Sequence, residues 1–423
     1  MHVLFVHNET DYLCDAQSVF LQNLMPVLRD RGHVVELLLV TPIDPRDCPL
    51  FSWCEENQIV LYSTHSLGSM TNNIRWCVER LQQIQPDVFV AHHCYWALYA
   101  SRQARVLGIP TIGVLHCDDE DTRQLLKLFG EQSPFKVDAF VAVSDDIARF
   151  AEASMPREEV FRIPCGVRYN HFFASPPAGS FKFGYFGRLV VKQKRIDEMT
   201  RAFCQLVALK PDIECHIWGD GEARLLVESI VHEYGASDRV LLHESIPNSE
   251  ILAVMSEHHA IVLLSDFEGT PTSLMEGMGV GLVPLVLETG GIKQMIEDGV
   301  NGVVVQDRGA SFLEKSVMLA SDPILWQSLS QEARNRARKR YSVETTVDQW
   351  EAALNAVHEK GTIPLAIDTL SGSMSISVPH AFRIEGPRYF NQAIDLVIVL
   401  LARIRLVLIR LRNKTFHVQR FSE

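Results

Sequence analysis

The sequence lacks features that would each point to a particular class of protein. Its 423 residues hold 40 lysines and arginines against 52 aspartates and glutamates, a net charge of −12. Nucleic-acid binders usually carry a basic excess instead. The nine cysteines include no CxxC pair and no zinc-ligand spacing. We therefore expect reduced, unpaired cysteines, no metal and no nucleic-acid partner.

Long apolar stretches are also missing. In the C-terminal tail the longest uncharged apolar run is Leu396–Ala402, far shorter than the roughly 20 residues that span a bilayer. Met1 leads directly into the apolar run His2–His7, with no basic segment and no small-residue cleavage site. These features predict a cytoplasmic protein with neither a signal peptide nor a membrane span.

Apolar, β-branched runs alternate with longer helical patterns, which predicts parallel sheets with helices on both faces. The first series of predicted strands comprises Val3–Val6, Val34–Val40, Ile59–Tyr62, Val88–Ala91, Thr111–Leu115 and Ala139–Val143. The second comprises Phe181–Tyr185, Glu214–Trp218, Val240–Leu242, Ala260–Leu264, Val283–Leu287 and Gly302–Val305. The sequence therefore predicts an α/β protein with two Rossmann-like domains, joined by the turn-rich segment Ser175–Ser180.

Familiar phosphate-binding motifs are absent from the first domain. The loop His7–Asp11 after the first strand contains no glycine, so no G-x-G-x-x-G brings the backbone close to a pyrophosphate. The sequence also has no P-loop and no G-x-S-x-G nucleophile elbow. A nicotinamide or flavin dinucleotide is therefore not the expected ligand.

The segment Ser265–Gly279, which follows a predicted strand, is the most informative. A helix is predicted to open near Thr272, and the unpaired N–H groups of a helix start favour a diphosphate. Glu268 in the loop and Glu276 in the helix can accept hydrogen bonds from sugar hydroxyls. A capped helix with two surface glutamates is the alternative interpretation.

Two further turns follow predicted strands of the second domain. Gly187 permits a sharp exit from its strand, and Arg188 and Lys194 can converge on phosphate charge. A basic, solvated loop is the alternative. Gly219 and Gly221 close the next strand, which suggests close backbone packing beneath a ligand.

Together these segments resemble the retaining glycosyltransferases of the GT-B fold, family 4 type, or glycosyl transferases group 1. The family pattern is a G-R-L turn with a following lysine, then G-x-G, then E-x7-E. Here these are Gly187–Leu189 with Lys194, Gly219–Gly221, and Glu268 with Glu276. The resemblance implies two Rossmann-like domains that face each other across a cleft, plus a C-terminal amphipathic helical extension outside the family core.

The resemblance covers roughly residues 1–358 and sets the expected domains. Residues 1–178 would form the N-terminal, acceptor-binding domain, and 179–340 the C-terminal, nucleotide-sugar-binding domain. A helix within 341–360 would cross back to the N-terminal domain. Residues 361–423 would form a linker and an amphipathic basic tail.

The resemblance also implies roles for single residues. Arg188 and Lys194 would hold the donor diphosphate and stabilise the departing phosphate, so that no metal is expected. Glu276 would bind the ribose hydroxyls, and Glu268 would contact the donor sugar. The further residues expected at the phosphates and sugar are Gly187, Gly219, Gly269, Thr270, Pro271, Thr272, Ser273 and Leu274.

Histidines follow two predicted strands of the first domain. His116 matches a family histidine that approaches the donor sugar and phosphate, and it is therefore a candidate catalytic residue. His92 and His93 are candidates for the acceptor side. The acidic run Asp118–Asp121 is interpreted as a loop in preference to a metal site.

The C-terminal tail, residues 391–412, has an amphipathic pattern. A helical wheel places its apolar residues on one face and its four arginines on the other half. Two interpretations stay open. The helix lies in the interface of the inner face of a membrane, with its arginines on anionic lipid, or it docks on this protein or on a second copy.

The sequence therefore predicts a retaining glycosyltransferase that uses a nucleotide-diphosphate sugar as its donor. The acceptor would be a glycan or a lipid-linked sugar, in polysaccharide or glycoconjugate synthesis. The glycine-less first loop motivates a second hypothesis, a non-catalytic sugar-nucleotide-binding or scaffold protein on the same fold. An epimerase or phosphorylase of the GT-B fold is the third.

Overall fold

The computed structural model describes residues 1–9, 16–66, 68–92, 94–116, 120–133 and 135–362. The tail at 391–412, His93 and Asp118–Asp119 therefore lie outside the described residues. Within the described ranges no helix is long and apolar enough to cross a bilayer. The seven cysteines in these ranges are buried.

The first half of the chain forms a seven-stranded parallel sheet with the order β3-β2-β1-β4-β5-β6-β7. Its elements are β1 (His2–Asn8), α1 (Ala16–Asp30), β2 (Val34–Thr41), α2 (Pro49–Glu56), β3 (Val60–His65), α3 (Met70–Ile84), β4 (Val88–His92), α4 (Tyr95–Val106), β5 (Thr111–Leu115), α5 (Glu120–Phe129), β6 (Ala139–Ala142), α6 (Asp145–Glu152) and β7 (Val160–Arg162). Every residue of β4 and β5 is buried, as expected for central strands covered by helices on both faces.

The second half forms a six-stranded parallel sheet with the order β10-β9-β8-β11-β12-β13. Its elements are β8 (Phe181–Phe186), α7 (Val191–Lys194), α8 (Ile196–Leu209), β9 (Ile213–Trp218), α9 (Arg224–Glu233), β10 (Val240–His243), α10 (Ile251–Met255), β11 (Ala260–Leu263), α11 (Thr272–Val280), β12 (Val283–Leu287), α12 (Ile292–Met295) and β13 (Val303–Val305). Helices α13 (Ala310–Ser321), α14 (Pro323–Arg340) and α15 (Val343–Lys360) complete the described chain. The two parallel α/β sheets confirm the predicted fold class.

Both sheets have a point at which the strand order changes direction. In the first sheet β1 lies beside β4, and in the second β8 lies beside β11. A crevice opens at such a point beyond the carboxyl ends of the strands, and ligands of open α/β sheets bind there. The predicted site residues of the second half follow β8, β9 and β11, so they gather at this edge of the second sheet.

Helix α15 returns from the second half and packs on the first. Trp350 is completely buried, and its ring lies 6.1 Å from those of Phe5 in β1 and Phe20 in α1. Arg31, directly after α1, forms 2.6 Å ion pairs with Asp348 and Glu351. The last described helix is therefore part of the core of the first sheet.

Candidate functional site

The turn after β8 holds Arg188 at the surface of the crevice. Gly187 donates its N–H to the Trp218 carbonyl at 3.0 Å, and the Tyr185 hydroxyl donates to the Arg188 carbonyl at 2.7 Å. The Arg188 side chain is exposed and donates to the Gln193 side chain at 3.2 Å. The backbone of this turn is thus fixed from below while its guanidinium group faces solvent.

The G-x-G turn lies directly against the G-R-L turn. A Cβ atom on Gly219 would lie 2.0 Å from the Gly187 carbonyl oxygen, and one on Gly221 would lie 2.5 Å from the Leu189 oxygen. Gly219 also has a φ of +141°, a conformation that favours glycine. The close backbone packing that the glycines suggested is present.

Lys194 and Glu268 pair with each other. The Lys194 ammonium lies 2.5 Å from a carboxylate oxygen of Glu268, and the two side chains are 13% and 5% exposed. Gln193 joins the same two loops, because its side chain donates to the Phe267 carbonyl at 3.1 Å. The structure therefore brings together the lysine and the glutamate that the resemblance assigns to phosphate and to sugar.

The start of α11 presents backbone N–H groups to the crevice edge. The helix begins at Thr272 after Pro271, and no side chain caps it. Ser273 lies in this first turn, half-buried, and Leu274 anchors the turn in the core with complete burial. An uncapped helix start of this kind favours an anion, since its first N–H groups have no partner within the helix.

Glu276 lies one turn further along α11 and is 6% exposed. Burial raises the pKa of its carboxyl to about 8. The residue borders a cavity of about 730 Å³, which Asn248 lines from the second half and Trp53 and Asn23 line from the first. Because the cavity contains polar side chains from both halves, it is suited to a ligand with several hydroxyl groups.

A second glycine pair, Gly290 and Gly291, supports the loop of Glu268. A Cβ atom on Gly290 would lie 2.1 Å from the Glu268 carbonyl oxygen, and one on Gly291 would lie 1.8 Å from the Gly269 carbonyl oxygen. The Gly291 N–H also donates to the Glu268 carbonyl at 3.1 Å. The sequence analysis missed this pair, although a Gly-Gly step after a predicted strand is a signal for close backbone approach.

The two halves touch at the glycine of the Glu268 loop. A Cβ atom on Gly269 would lie 2.3 Å from the His116 carbonyl oxygen. The Thr270 hydroxyl donates to the Val143 carbonyl at 2.6 Å, and the Asp145 N–H donates to the Gln294 side chain at 3.1 Å. His116 of the first half is therefore brought to the loops that hold the predicted donor residues.

His92 lies beneath His116 and does not line a surface. It is completely buried and stacked on Phe20, with ring centroids 5.2 Å apart. Its Nε2 atom lies 2.8 Å from Nε2 of His116. The expectation that His92 lines the acceptor side is therefore wrong, because the ring is enclosed by the core and contacts His116 instead.

The acidic run at 118–121, interpreted from sequence as a loop, is described only in its second half, and that half is helical. Glu120 begins α5, while its neighbours Asp118 and Asp119 lie outside the described residues. Among the described residues no group of three or more His, Cys, Asp or Glu side chains could hold a metal ion.

Two family models match adjoining parts of the chain. The model described as glycosyl transferases group 1 matches residues 168–340, and the model described as glycosyltransferase family 4 matches residues 17–171. Together they cover both sheets, apart from the first strand.

Curated relatives are glycosyltransferases of several kinds. The chain is 22% identical over 309 residues to alpha-D-kanosaminyltransferase of Streptomyces kanamyceticus, covering 66% of this chain and 80% of that one. It is 31% identical over 124 residues to lipopolysaccharide 1,6-galactosyltransferase of Salmonella typhimurium, covering 28% and 34%. For four other relatives the match spans only 42–62% of their length.

Solved structures share the fold. The chain superimposes on Anabaena HepE, solved in complex with UDP-glucose, with a TM-score of 0.70 and 18% identity, over 84% of this chain and all of that one. A lipopolysaccharide outer core galactosyltransferase in its apo form gives a TM-score of 0.65 and 17% identity, over 84% and 99%. With both family models matching on this two-sheet fold, the chain belongs to the group 1 glycosyltransferases of the GT-B fold.

Proposed function

We propose that this protein transfers a sugar, with retention of anomeric configuration, from a nucleotide-diphosphate sugar to a glycan or lipid-linked acceptor. The observation that carries the proposal is the convergence of Arg188, Lys194, Glu268 and the start of α11 at the crevice of the second sheet, opposite His116. Retention is proposed because the motifs resemble those of retaining enzymes.

The diphosphate would bind where positive charge and free N–H groups meet. Arg188 is exposed at one side, and Lys194 lies beside it at the Glu268 loop. The uncapped start of α11 lies on the other side. These groups would stabilise charge on the departing phosphate, and we propose that they do so in place of a metal ion.

Glu276 would bind the ribose, and Glu268 and His116 the donor sugar. A ribose carries two neighbouring hydroxyls, and a glutamate side chain can exchange hydrogen bonds with both. Among the described residues no hydrogen bond or ion pair occupies Glu276, whereas Glu268 is already paired with Lys194. Donor binding is therefore expected to give Glu276 its first polar partners.

Uridine diphosphate sugars are the first donors to test, since HepE was solved with UDP-glucose. The relatives named for a kanosaminyl and a galactosyl group transfer different sugars.

The basic, amphipathic tail at 391–412 supports an acceptor at a membrane surface, with peripheral attachment of the protein.

The test is donor binding and slow donor hydrolysis across UDP-, GDP- and ADP-sugars. We expect one donor class to bind, and Glu276→Ala to weaken that binding by about tenfold or more, since the site then leaves ribose hydroxyls unpaired. Glu314→Ala, an exposed glutamate on α13, is the control and should bind like the wild type. Failure of every donor to bind would contradict the proposal.

The glycine-less first loop favours one second candidate, a protein that binds sugar nucleotides without turnover. Donor binding without hydrolysis or transfer to any glycan or lipid-linked acceptor would support it. A transfer product whose anomeric configuration differs from that of the donor would instead overturn the retaining assignment alone.

The membrane part of the proposal has its own test. Full-length protein should bind vesicles that contain anionic lipid, and a variant that ends at residue 390 should lose this binding while it keeps donor binding. Equal vesicle binding by both proteins would remove the tail from the proposal.

A further inference from the structure

A second cavity lies beside the two connections between the halves. It has a volume of about 270 Å³ and is here called the hinge cavity. The first half lines it with the ends of β6 and β7 and the start of α6, and the second half lines it with α12 and the end of α14. The two connections pair here, because the Val167 N–H donates to the Tyr341 carbonyl at 2.8 Å and the Val343 N–H donates to the Val167 carbonyl at 2.9 Å. A ligand in the hinge cavity would therefore contact both halves.

The hinge cavity differs from the candidate donor site in its lining and its size. None of the charged side chains predicted to bind the donor lines it. Thr270 and Gly291 do line it, and they belong to the loops that carry and support Glu268. Its volume also lies below the roughly 300–1,000 Å³ of pockets for drug-sized ligands. The hinge cavity therefore adjoins the donor site but suits a ligand much smaller than a nucleotide-diphosphate sugar.

Tyr341 contributes a buried hydroxyl group to the hinge cavity. The residue is 3% exposed, and its hydroxyl forms no hydrogen bond with a described residue. Burial raises the pKa of this phenol, so the hydroxyl keeps its proton near neutral pH and can donate. A buried polar group without a partner costs stability. A ligand that accepts a hydrogen bond in the hinge cavity would remove that cost.

Two cations beside this hydroxyl have no counter-ion. Lys339 and Arg340 are the last residues of α14, they line the hinge cavity, and both are exposed. Neither forms an ion pair with a described residue. The Arg340 guanidinium group lies 5.8 Å from the centre of the Tyr341 ring. The second half therefore presents two positive charges next to a hydrogen-bond donor.

The acidic residue of the lining, Asp145, belongs to the first half. Its carboxylate lies 3.6 Å from Arg162, which also pairs with Glu152. Its N–H donates to the Gln294 side chain at 3.1 Å. These charges of the first half offset one another in part, whereas those at the end of α14 do not. An anion is therefore expected to bind on the α14 side of the hinge cavity.

A phosphate group matches this set of donors. Its oxygens accept hydrogen bonds, and the ammonium, guanidinium and phenol groups all donate. A neutral sugar alone would leave both cations without a counter-ion. The cavity volume admits inorganic phosphate and also a phosphate carried by one small sugar.

We propose that the hinge cavity binds a phosphate dianion, free or as the monoester of a sugar, through Lys339, Arg340 and the Tyr341 hydroxyl. Because residues of both halves line the cavity, the bound ligand joins the two halves beside the donor site. The site does not depend on the proposed function, since it requires neither a donor nor transfer.

Calorimetric titration of the full-length protein with inorganic phosphate and with glucose 6-phosphate measures the binding, at constant ionic strength and without donor. We expect at least one probe to bind, with its Kd raised about tenfold by Lys339→Gln and by Tyr341→Phe, since each removes one donor to a charged group. Tighter binding of glucose 6-phosphate would identify a sugar monoester as the ligand, and equal binding would identify the phosphate group alone.

Three control variants separate the hinge cavity from other cationic sites. Lys127→Gln on α5 and Tyr234→Phe after α9 change exposed residues outside the cavity, and both should bind the probe like the wild type. Arg188→Gln removes a cation from the candidate donor site and should keep the binding. Failure of both probes to bind would overturn the proposal. Binding that is lost in Arg188→Gln but kept in Lys339→Gln and Tyr341→Phe would overturn it as well.

Hydrogen exchange measured by mass spectrometry locates the probe without a substitution. The bound probe should slow exchange at 142–147 in the first half and at 339–346 in the second. Slower exchange in only one of these segments would overturn the joining of the halves. Slower exchange only in the turn at 187–190 would place the probe in the donor site and overturn the proposal.

Discussion

At the scale of single residues, Glu268 and Glu276 are both buried, but only Glu268 has a cationic partner among the described residues. Lys194 lies 2.5 Å from Glu268. No described side chain forms an ion pair with Glu276, and burial raises the pKa of that carboxyl to about 8. Glu276 is therefore largely protonated near neutral pH, and a ligand hydroxyl meets a group that can both donate and accept.

Replacing Glu276 with glutamine should stabilise the protein in alkaline solution. The carboxyl has a pKa of about 8 when folded and about 4.3 when unfolded, so the folded state binds more protons between these values. Wild-type stability therefore falls as pH rises through this range. We expect Glu276→Gln to be more stable at pH 9 by on the order of 2–4 kcal/mol, since one pKa unit corresponds to about 1.4 kcal/mol.

Denaturant unfolding at pH 5 and pH 9 measures this difference. The two proteins should have similar free energies of unfolding at pH 5 and diverge at pH 9. Glu314→Gln, on the exposed face of α13, should follow the wild type at both values. An equal stability difference at pH 5 and pH 9 would show that titration of Glu276 is not its cause.

At the scale of elements, a stack of histidines lies beside the outer strands of the second sheet. His216 of β9 and His243 of β10 stack with ring centroids 5.2 Å apart, and His258 meets His216 edge-on at 4.8 Å. Burial is the first cause that lowers the pKa of each ring, to about 4 for His216 and about 3 for His258. These rings therefore fold in the neutral form.

The histidine stack should make the second domain sensitive to acid. Unfolded histidines bind protons near pH 6.5, whereas the folded rings do so only near pH 3–4, so stability falls as pH drops between these values. His258→Gln keeps hydrogen bonding to Trp218 and Val254 possible but cannot take up a proton. We expect the slope of unfolding free energy between pH 6 and pH 4.5 to decrease by about 1.4 kcal/mol per pH unit.

Denaturant unfolding at several pH values in this interval supplies the slope. His171→Gln, an exposed histidine, is the control and should leave the slope unchanged. A variant slope equal to that of the wild type would show that His258 already takes up its proton in the folded state.

The sheet strands were predictable because strands that are buried on both faces appear as continuous apolar runs. Short β7 and helix α2 were not predicted, since three residues and one modest helical pattern give weak periodicity. The G-R-L and G-x-G turns could be identified from order and spacing. The contacts among His7, His92 and His116 could not, because these residues become neighbours only through the pairing of β1, β4 and β5.

At the scale of the whole molecule, α15 makes the first sheet depend on the end of the described chain. Beyond the packing of Trp350, Lys360 pairs with Glu159, and Thr362 donates to Asp138 at 3.0 Å. These contacts tie residues near 360 to the far edge of the first sheet. The two halves are thus joined twice, once between β7 and β8 and once between α14 and α15.

Trp350→Ala should loosen the first half selectively. A buried tryptophan replaced by alanine costs about 3–5 kcal/mol, and here the lost contacts are with Phe5 and Phe20. Hydrogen exchange measured by mass spectrometry should rise in β1 and α1 and stay near wild type in β8 and β11. Trp326→Ala, in the core of the second half and bonded to the His259 carbonyl, should show the converse pattern. The same exchange pattern in both variants would contradict the selective role of α15.

The return of α15 also bears on how the chain is made. A nascent chain completes β7 at residue 162, but the tryptophan that covers α1 emerges about 190 residues later. At roughly 5–20 residues per second this interval lasts on the order of ten to forty seconds. During that time the side of α1 that later packs on α15 has no permanent cover, while the entire second sheet is translated. The N-terminal half is therefore synthesised first but completes its packing last, and until then this side of α1 is accessible to chaperones and proteases.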